Sequence, residues 1–217
     1  MGGGLQTFWL FNISLSHGIL TLNCAGLRGT VKRKKLFNQL RNKADFLLLQ
    51  ETHSIVTDER FWPSELGGGR IFFSHGEGNA RGVGTFISKN VDFRELEVIR
   101  DNEGRALFII LETNGTNICI GNVYCPNLSF DSNDKLNHEM FLESIHNTLN
   151  TVSQKYDDLN IILAGDFNMI MHTSLDANGG NPTIYAQSIN CMNKIAEDLN
   201  ITDIFRSLYP QDRLITF

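Results

Sequence analysis

Asp166 and Asn168 close the stretch Ile161 to Met169, Ile-Ile-Leu-Ala-Gly-Asp-Phe-Asn-Met, in which an apolar run of strand length empties through Gly165 into polar side chains. The pattern puts a carboxylate and an amide at the exposed end of a buried strand. Two other apolar runs end in the same way: Ile19 to Leu22 stops at Asn23, and Phe46 to Leu49 stops at Gln50-Glu51. Open α/β sheets carry their chemistry at such strand ends. An amide, a glutamate and an Asp/Asn pair form a set suited to a hard metal ion and a phosphate, because Mg²⁺ takes carboxylate oxygens and keeps waters. Taken singly each residue also has a plain structural reading, Glu51 as a solvated side chain and Gly-Asp-Phe-Asn as a capped turn.

The elements that must position these residues follow from periodicity. Leu36, Phe37 and Leu40 recur at helical spacing between the strands at Ile19 and Phe46, which predicts a βαβ unit whose strands end at the same edge. Short strands follow at Ile71 to Ser74, Val83 to Ser88, Phe93 to Ile99, Ala106 to Glu112 and Asn117 to Tyr124. Asn114-Gly115 marks a tight hairpin between the last two, both residues tolerating positive φ. Asp134 to Lys155 carries one apolar stripe, Phe141, Ile145, Leu149, Val152 and Tyr156, with Asp131, Ser132 or Asn133 as its cap. A second helix is expected over Ile184 to Leu199, then a closing segment at Ile201 to Phe205 and the start of a strand at Leu214 to Phe217. Crossover helices with an antiparallel meander point to a two-sheet α/β sandwich, with a one-layer α+β arrangement as the alternative.

At 217 residues, 41% hydrophobic and 20% charged, the chain has the make-up of one ordinary globular domain. A net charge of −5 argues against a surface that coats polyanions wholesale, so nucleic-acid contacts must come from local clusters. Lys32-Arg33-Lys34-Lys35 is one such cluster, or else a solvated helix start. Cys24, Cys119, Cys125 and Cys191 have neither Cys-x-x-Cys nor zinc spacing and read as reduced thiols of an intracellular protein. Residues 1–17, with Gly2-Gly3-Gly4 and an apolar stretch too short to span a bilayer, read as an N-terminal extension ahead of a domain over 18–217.

Leu-Asn-Cys-Ala-Gly-Leu-Arg, Leu-Gln-Glu-Thr-His, Asn-Val-Tyr-Cys-Pro-Asn and Leu-Ala-Gly-Asp-Phe-Asn-Met occur in that order, each at a strand end. In this the chain resembles the endonuclease/exonuclease/phosphatase superfamily, which has a DNase I-like sandwich. The Lys32 to Lys35 cluster, the Gln-Glu-Thr-His motif and the segment from Thr202 through Tyr209-Pro210 to Thr216-Phe217 resemble most the endonuclease domains of LINE-type retrotransposons. The resemblance implies Mg²⁺, with Mn²⁺ as a substitute, DNA as the partner, and nicking that leaves a 3′-hydroxyl. It also implies a reverse transcriptase formerly in the same polyprotein and absent from this sequence, and the DNA substrate implies a nuclear site of action, without a membrane.

Carried over residue by residue, the resemblance makes Glu51 the main metal ligand with Asn23 beside it. Asp166 would orient or deprotonate the attacking water, and Asn168 would donate to a phosphate oxygen. Tyr124 and Asn127 match positions that contact phosphate or DNA backbone, with a core aromatic as the plain reading of Tyr124. Thr216 and Arg28 are further expected substrate contacts. The family continues into a strand bearing an Asp and a later Ser-Asp-His motif, whereas this sequence stops at Phe217. The histidines His17, His53, His75, His138, His146 and His172 match none of that motif, and the expectation is impaired catalysis. The competing readings are a phosphate- or DNA-binding domain without turnover and a phosphoesterase acting on a lipid or inositol phosphate.

Overall fold

The strands that end in the candidate residues are apolar on both faces because both faces are covered. The computed structural model describes residues 7–10, 17–176 and 182–212. In chain order these form β1 (Thr7–Leu10), β2 (Ile19–Asn23), α1 (Thr30–Leu40), β3 (Phe46–Gln50), a 3₁₀ turn, α2 (Trp62–Glu65), β4 (Gly69–Ser74), β5 (Val83–Ser88) and β6 (Arg94–Arg100). Then come β7 (Ala106–Thr113), β8 (Thr116–Tyr124), α3 (Ser132–Lys155), β9 (Asn160–Asp166), α4 (Thr173–Asp176), a second 3₁₀ turn, α5 (Ala186–Leu199), β10 (Thr202–Asp203) and α6 (Ile204–Leu208).

One sheet has the order β10-β1-β9-β8-β7-β6 and the other β2-β3-β5-β4. β2 runs parallel to β3 and β8 runs parallel to β9, so all four strands deliver their last residues to one end of the sandwich. This is the two-sheet sandwich expected from the pattern. Along β7, Leu107, Ile109 and Leu111 point between the sheets, while Ala106, Phe108 and Ile110 point out to a layer containing Leu142, Ile145 and Leu149 of α3 and Met192 and Ile195 of α5. The other sheet is capped by Phe37 and Leu40 of α1 and by Trp62. The period of two thus divides the buried residues of β7 between an inner and an outer core layer.

Local signals hold where they are strongest. Asn114 and Gly115 adopt φ of 50° and 74° and join β7 to β8 as a tight hairpin. Asp131 caps α3, its carboxylate accepting from Asn133 N at 2.7 Å. Thr7–Leu10, in the stretch expected to be an extension, is a strand paired antiparallel with both β9 and β10. Its β-branched and aromatic composition suits that place, and its backbone pairs the edge that β9 would otherwise leave open. The closing segment Ile201 to Phe205 divides into the two-residue strand β10 and the start of α6, because the Asp203 carboxylate accepts from Arg206 N at 3.0 Å and caps the helix. The expected strand at Leu214 to Phe217 lies outside the described residues.

Candidate active site

Four strand ends, read by the same period of two, put one residue each at the open end of the inner core. β2 presents Ile19, Thr21 and then Asn23; β3 presents Phe46, Leu48 and then Gln50; β8 presents Ile118, Ile120, Asn122 and then Tyr124; β9 presents Ile162, Ala164 and then Asp166. The core therefore passes from an apolar layer to a buried polar layer and then to the site.

The polar layer joins the two sheets. Gln50 Nε2 donates to Thr21 Oγ1 at 2.9 Å and to Asn122 Oδ1 at 2.6 Å. Asn122 Nδ2 donates back to Leu49 O at 3.3 Å, Gly84 O at 3.1 Å and Thr85 Oγ1 at 3.2 Å. Gln50, Thr85 and Asn122 have no exposed surface, so these bonds satisfy groups that would otherwise be costly to bury. Neither Gln50 nor Asn122 stands out as a site residue in the sequence. The available signal is a polar residue at inward parity in an apolar strand.

Above that layer, Asn23 Nδ2 donates to Glu51 Oε1 and to Asp166 Oδ2, both at 2.8 Å. One amide nitrogen thus holds two carboxylates from different sheets against each other. Asn23 Oδ1 accepts from Ala25 N at 3.0 Å, which fixes the amide's orientation. Burial first, then the neighbouring Glu51 carboxylate, pushes the pKa of the Tyr124 hydroxyl up to about 12, so it stays a protonated donor at neutral pH. Asp166 Oδ1 accepts from Asn168 N at 3.0 Å, and Asn168 Nδ2 donates to Cys125 O at 2.7 Å. His53 Nε2 lies 3.8 Å from Glu51 Oε2, placing beside the cluster a histidine to which the sequence assigns no role.

The backbone at this end is strained. Ala25, Glu51, His53 and Asn168 all have φ between 46° and 52°, a region that non-glycine residues rarely enter. Such strain persists where the surroundings over-determine it. Gly165 has φ of 148°, and a Cβ there would stand 2.0 Å from Val123 O, so only glycine lets β9 approach β8 on its way to Asp166.

Asn23, Glu51, Tyr124, Asp166 and Asn168 therefore come together. Asn127 is exposed in the loop after β8. Arg28 is exposed and donates to Asn79 Oδ1. Thr216 lies outside the described residues. The basic cluster is not the free surface patch it resembles in sequence. Lys32 Nζ donates to Cys24 O and Ala25 O, each at 2.7 Å, and Arg33 is buried against Glu65 at 2.7 Å. Both hold the loop after Asn23, although Lys32, like Lys34 and Lys35, is exposed. His138, on α3, is buried, with Nε2 2.9 Å from Phe167 O and Nδ1 3.0 Å from Ser188 Oγ. It ties α3 and α5 to the Asp166 loop.

The donor set fits a divalent cation in kind: Glu51 and Asp166 offer hard carboxylate oxygens that already converge on one nitrogen. Among the described residues no three His, Cys, Asp or Glu side chains gather as a metal-holding group. Mg²⁺ needs only one or two carboxylates, so two suffice.

A model described as the endonuclease/exonuclease/phosphatase family matches residues 20–186. The chain is 27% identical over 205 residues to the Transposon TX1 uncharacterized 149 kDa protein of Xenopus laevis, covering 94% of this chain and 15% of that protein's length. Among solved structures, the AP endonuclease LMAP of Leishmania major superposes with a TM-score of 0.70 at 22% identity, over 90% of this chain and 70% of that one. The Xenopus laevis APE2 catalytic domain gives 0.67 at 22% identity, over 90% and 73%. The Neisseria 3′ phosphatase NExo, bound to a product DNA hairpin, gives 0.67 at 18% identity, over 91% and 77%.

Proposed function

The chain belongs to the endonuclease/exonuclease/phosphatase family, and on that premise we propose that it is a divalent-metal-dependent phosphodiesterase that nicks DNA to leave a 3′-hydroxyl. The observation that carries the reading is the Asn23 amide joining Glu51 and Asp166 at 2.8 Å each, because it puts two carboxylates at one point of the open core.

In this reading Glu51 is the principal ligand of Mg²⁺, or of Mn²⁺ in its place, with Asn23 and Asp166 adjoining. When bound, the cation supplies Lewis-acid stabilisation of charge on the phosphate. Asp166, oriented by Asn168 N, takes the proton of the attacking water. The Tyr124 hydroxyl, protonated at neutral pH, turns its one proton from Glu51 toward the phosphate. Asn168 keeps one amide hydrogen for a phosphate oxygen after donating the other to Cys125 O. Arg28, Asn127 and Thr216 are assigned to the DNA backbone by the family motif alone.

DNA is favoured as substrate by the similarity to a transposon protein and by the DNA-bound Neisseria relative. A reverse transcriptase acting on the nicked end in a longer protein, and work in the nucleus, complete the reading. Among the described residues no helix is long and apolar enough to cross a membrane.

The second reading is DNA or phosphate binding without turnover, favoured by the lack, among the described residues, of a third titratable metal ligand. Supercoiled plasmid with Mg²⁺ separates the two. Nicking that Glu51→Ala and Asp166→Ala each remove supports the enzyme. Mg²⁺-dependent binding of uncut plasmid by folded protein supports the second reading, and turnover of inositol phosphates or phospholipids instead of plasmid would reassign the substrate.

A further inference from the structure

Beside Tyr124, two loops meet through their backbones. Gly82 N donates to Gly104 O at 3.0 Å, and Gly104 approaches so closely that a Cβ on it would stand 2.4 Å from Gly76 N. The Asp101 carboxylate folds the second loop, accepting from Arg105 N and Ala106 N at 2.8 Å and from Ser74 Oγ at 2.9 Å. On this stiff seat Arg81 Nη1 lies 2.7 Å and Arg105 Nε 3.5 Å from the same oxygen, Glu103 Oε2. Burial, then the neighbouring Arg81, lowers the pKa of Arg105. The two guanidiniums thus share one anion, the Glu103 carboxylate. Arg105 is also fastened to the candidate site, with Nη1 donating to Tyr124 O at 3.2 Å and its guanidinium 5.2 Å from the Tyr124 ring centre. A cleft of about 490 Å³ opens alongside, walled by Arg81 and Arg105, by the carboxylates Asp101 and Glu103, and by Asn137 and Met140 of α3.

We propose that Glu103 is an internal stand-in for a backbone phosphate of bound DNA, and that Arg81 and Arg105 take that phosphate when the substrate enters the cleft. This rests on the DNA reading above. Glu103 is the most exposed member of the trio, at 64% against 37% for Arg81 and 14% for Arg105. Exposed ion pairs are weak, so the carboxylate is cheap to displace, while the Arg105 guanidinium stays on Tyr124 O and the Arg81 backbone stays on His53 N. It engages both guanidiniums through one oxygen, whereas a phosphodiester offers each its own, the geometry for which arginine is suited. Glu103 thereby keeps the cleft near neutral until a phosphate replaces it, and sets the affinity for the strand segment beside the scissile bond.

The test is fluorescence anisotropy of a labelled duplex in EDTA, as a function of salt, with melting temperatures recorded for each variant. Glu103→Gln should tighten binding about threefold to tenfold and steepen the salt dependence, as an added phosphate contact does. Glu112→Gln, which frees Arg94 at the far end of β7, should leave affinity unchanged. In an Arg81→Ala background the Glu103→Gln gain should vanish. Equal gains at Glu103 and Glu112, a gain that survives Arg81→Ala, or duplex binding indifferent to Glu103→Gln would each overturn the inference and leave the DNA reading standing. Folded protein that binds no duplex in any variant, with or without Mg²⁺, would overturn the DNA reading itself and the inference with it.

Discussion

Asn23 and Asp166, 143 residues apart in sequence and in different sheets, share a 2.8 Å hydrogen bond at the open end of the core. The same Asn23 nitrogen holds Glu51, so the amide occupies the place between two carboxylates where a cation's charge would be most useful. Exchanging this amide for a carboxylate would gather three carboxylates at that point. We expect Asn23→Asp to lower the melting temperature in EDTA and to show a larger Mg²⁺-induced rise than the native protein, because a ligand that binds only the folded state stabilises it by mass action. Differential scanning calorimetry with and without Mg²⁺ reads this directly. An unchanged Mg²⁺ response would remove the cation from this point.

The Gln50–Asn122 pair fastens the two sheets directly beneath the site. Asn122→Ala takes the Oδ1 acceptor from the Gln50 amide and the Nδ2 donor from the Gly84 carbonyl, and leaves a small void. The expected loss is about 2–4 kcal/mol by urea denaturation. If Asn122→Ala and the Gln50→Leu, Asn122→Leu double variant lose the same amount, unsatisfied polar groups are not the cause.

His138 imposes a pH dependence on stability. Burial lowers its pKa below 6.5, with the Phe167 carbonyl opposing in part. Above the unfolded value both states hold this imidazole neutral and its contribution is complete. As the pH falls below 6.5 the unfolded chain binds a proton that the folded chain refuses, so stability declines until the folded pKa is passed. The urea midpoint of the native protein should therefore fall more steeply than that of His138→Gln between about pH 7 and pH 5. Parallel curves would count against it.

The basic cluster divides by position. Lys32→Ala should destabilise by about 1 kcal/mol, through the lost bonds to the Cys24 and Ala25 carbonyls, and should misplace Asn23. Lys34→Ala should leave the melting temperature alone. Thermal melts of the two variants make the comparison, and equal shifts would show that Lys32 is not pinned as described.

The strand ends were legible because they are local. An apolar run interrupted by Asn23, Glu51 or Asp166 signals emergence from a core whatever packs around it, and Asn114-Gly115 and Asp131 announce their turn and cap through their own backbone preferences. Alternation likewise fixes which residues share a face. It cannot say what the face meets. That Asn23 reaches Asp166, that Gln50 finds Asn122, that His138 turns inward and that Lys32 and Arg33 brace a loop all depend on how two sheets and their helices stack. Such contacts join side chains tens to more than a hundred residues apart, and only the three-dimensional arrangement chooses among the partners that the sequence permits.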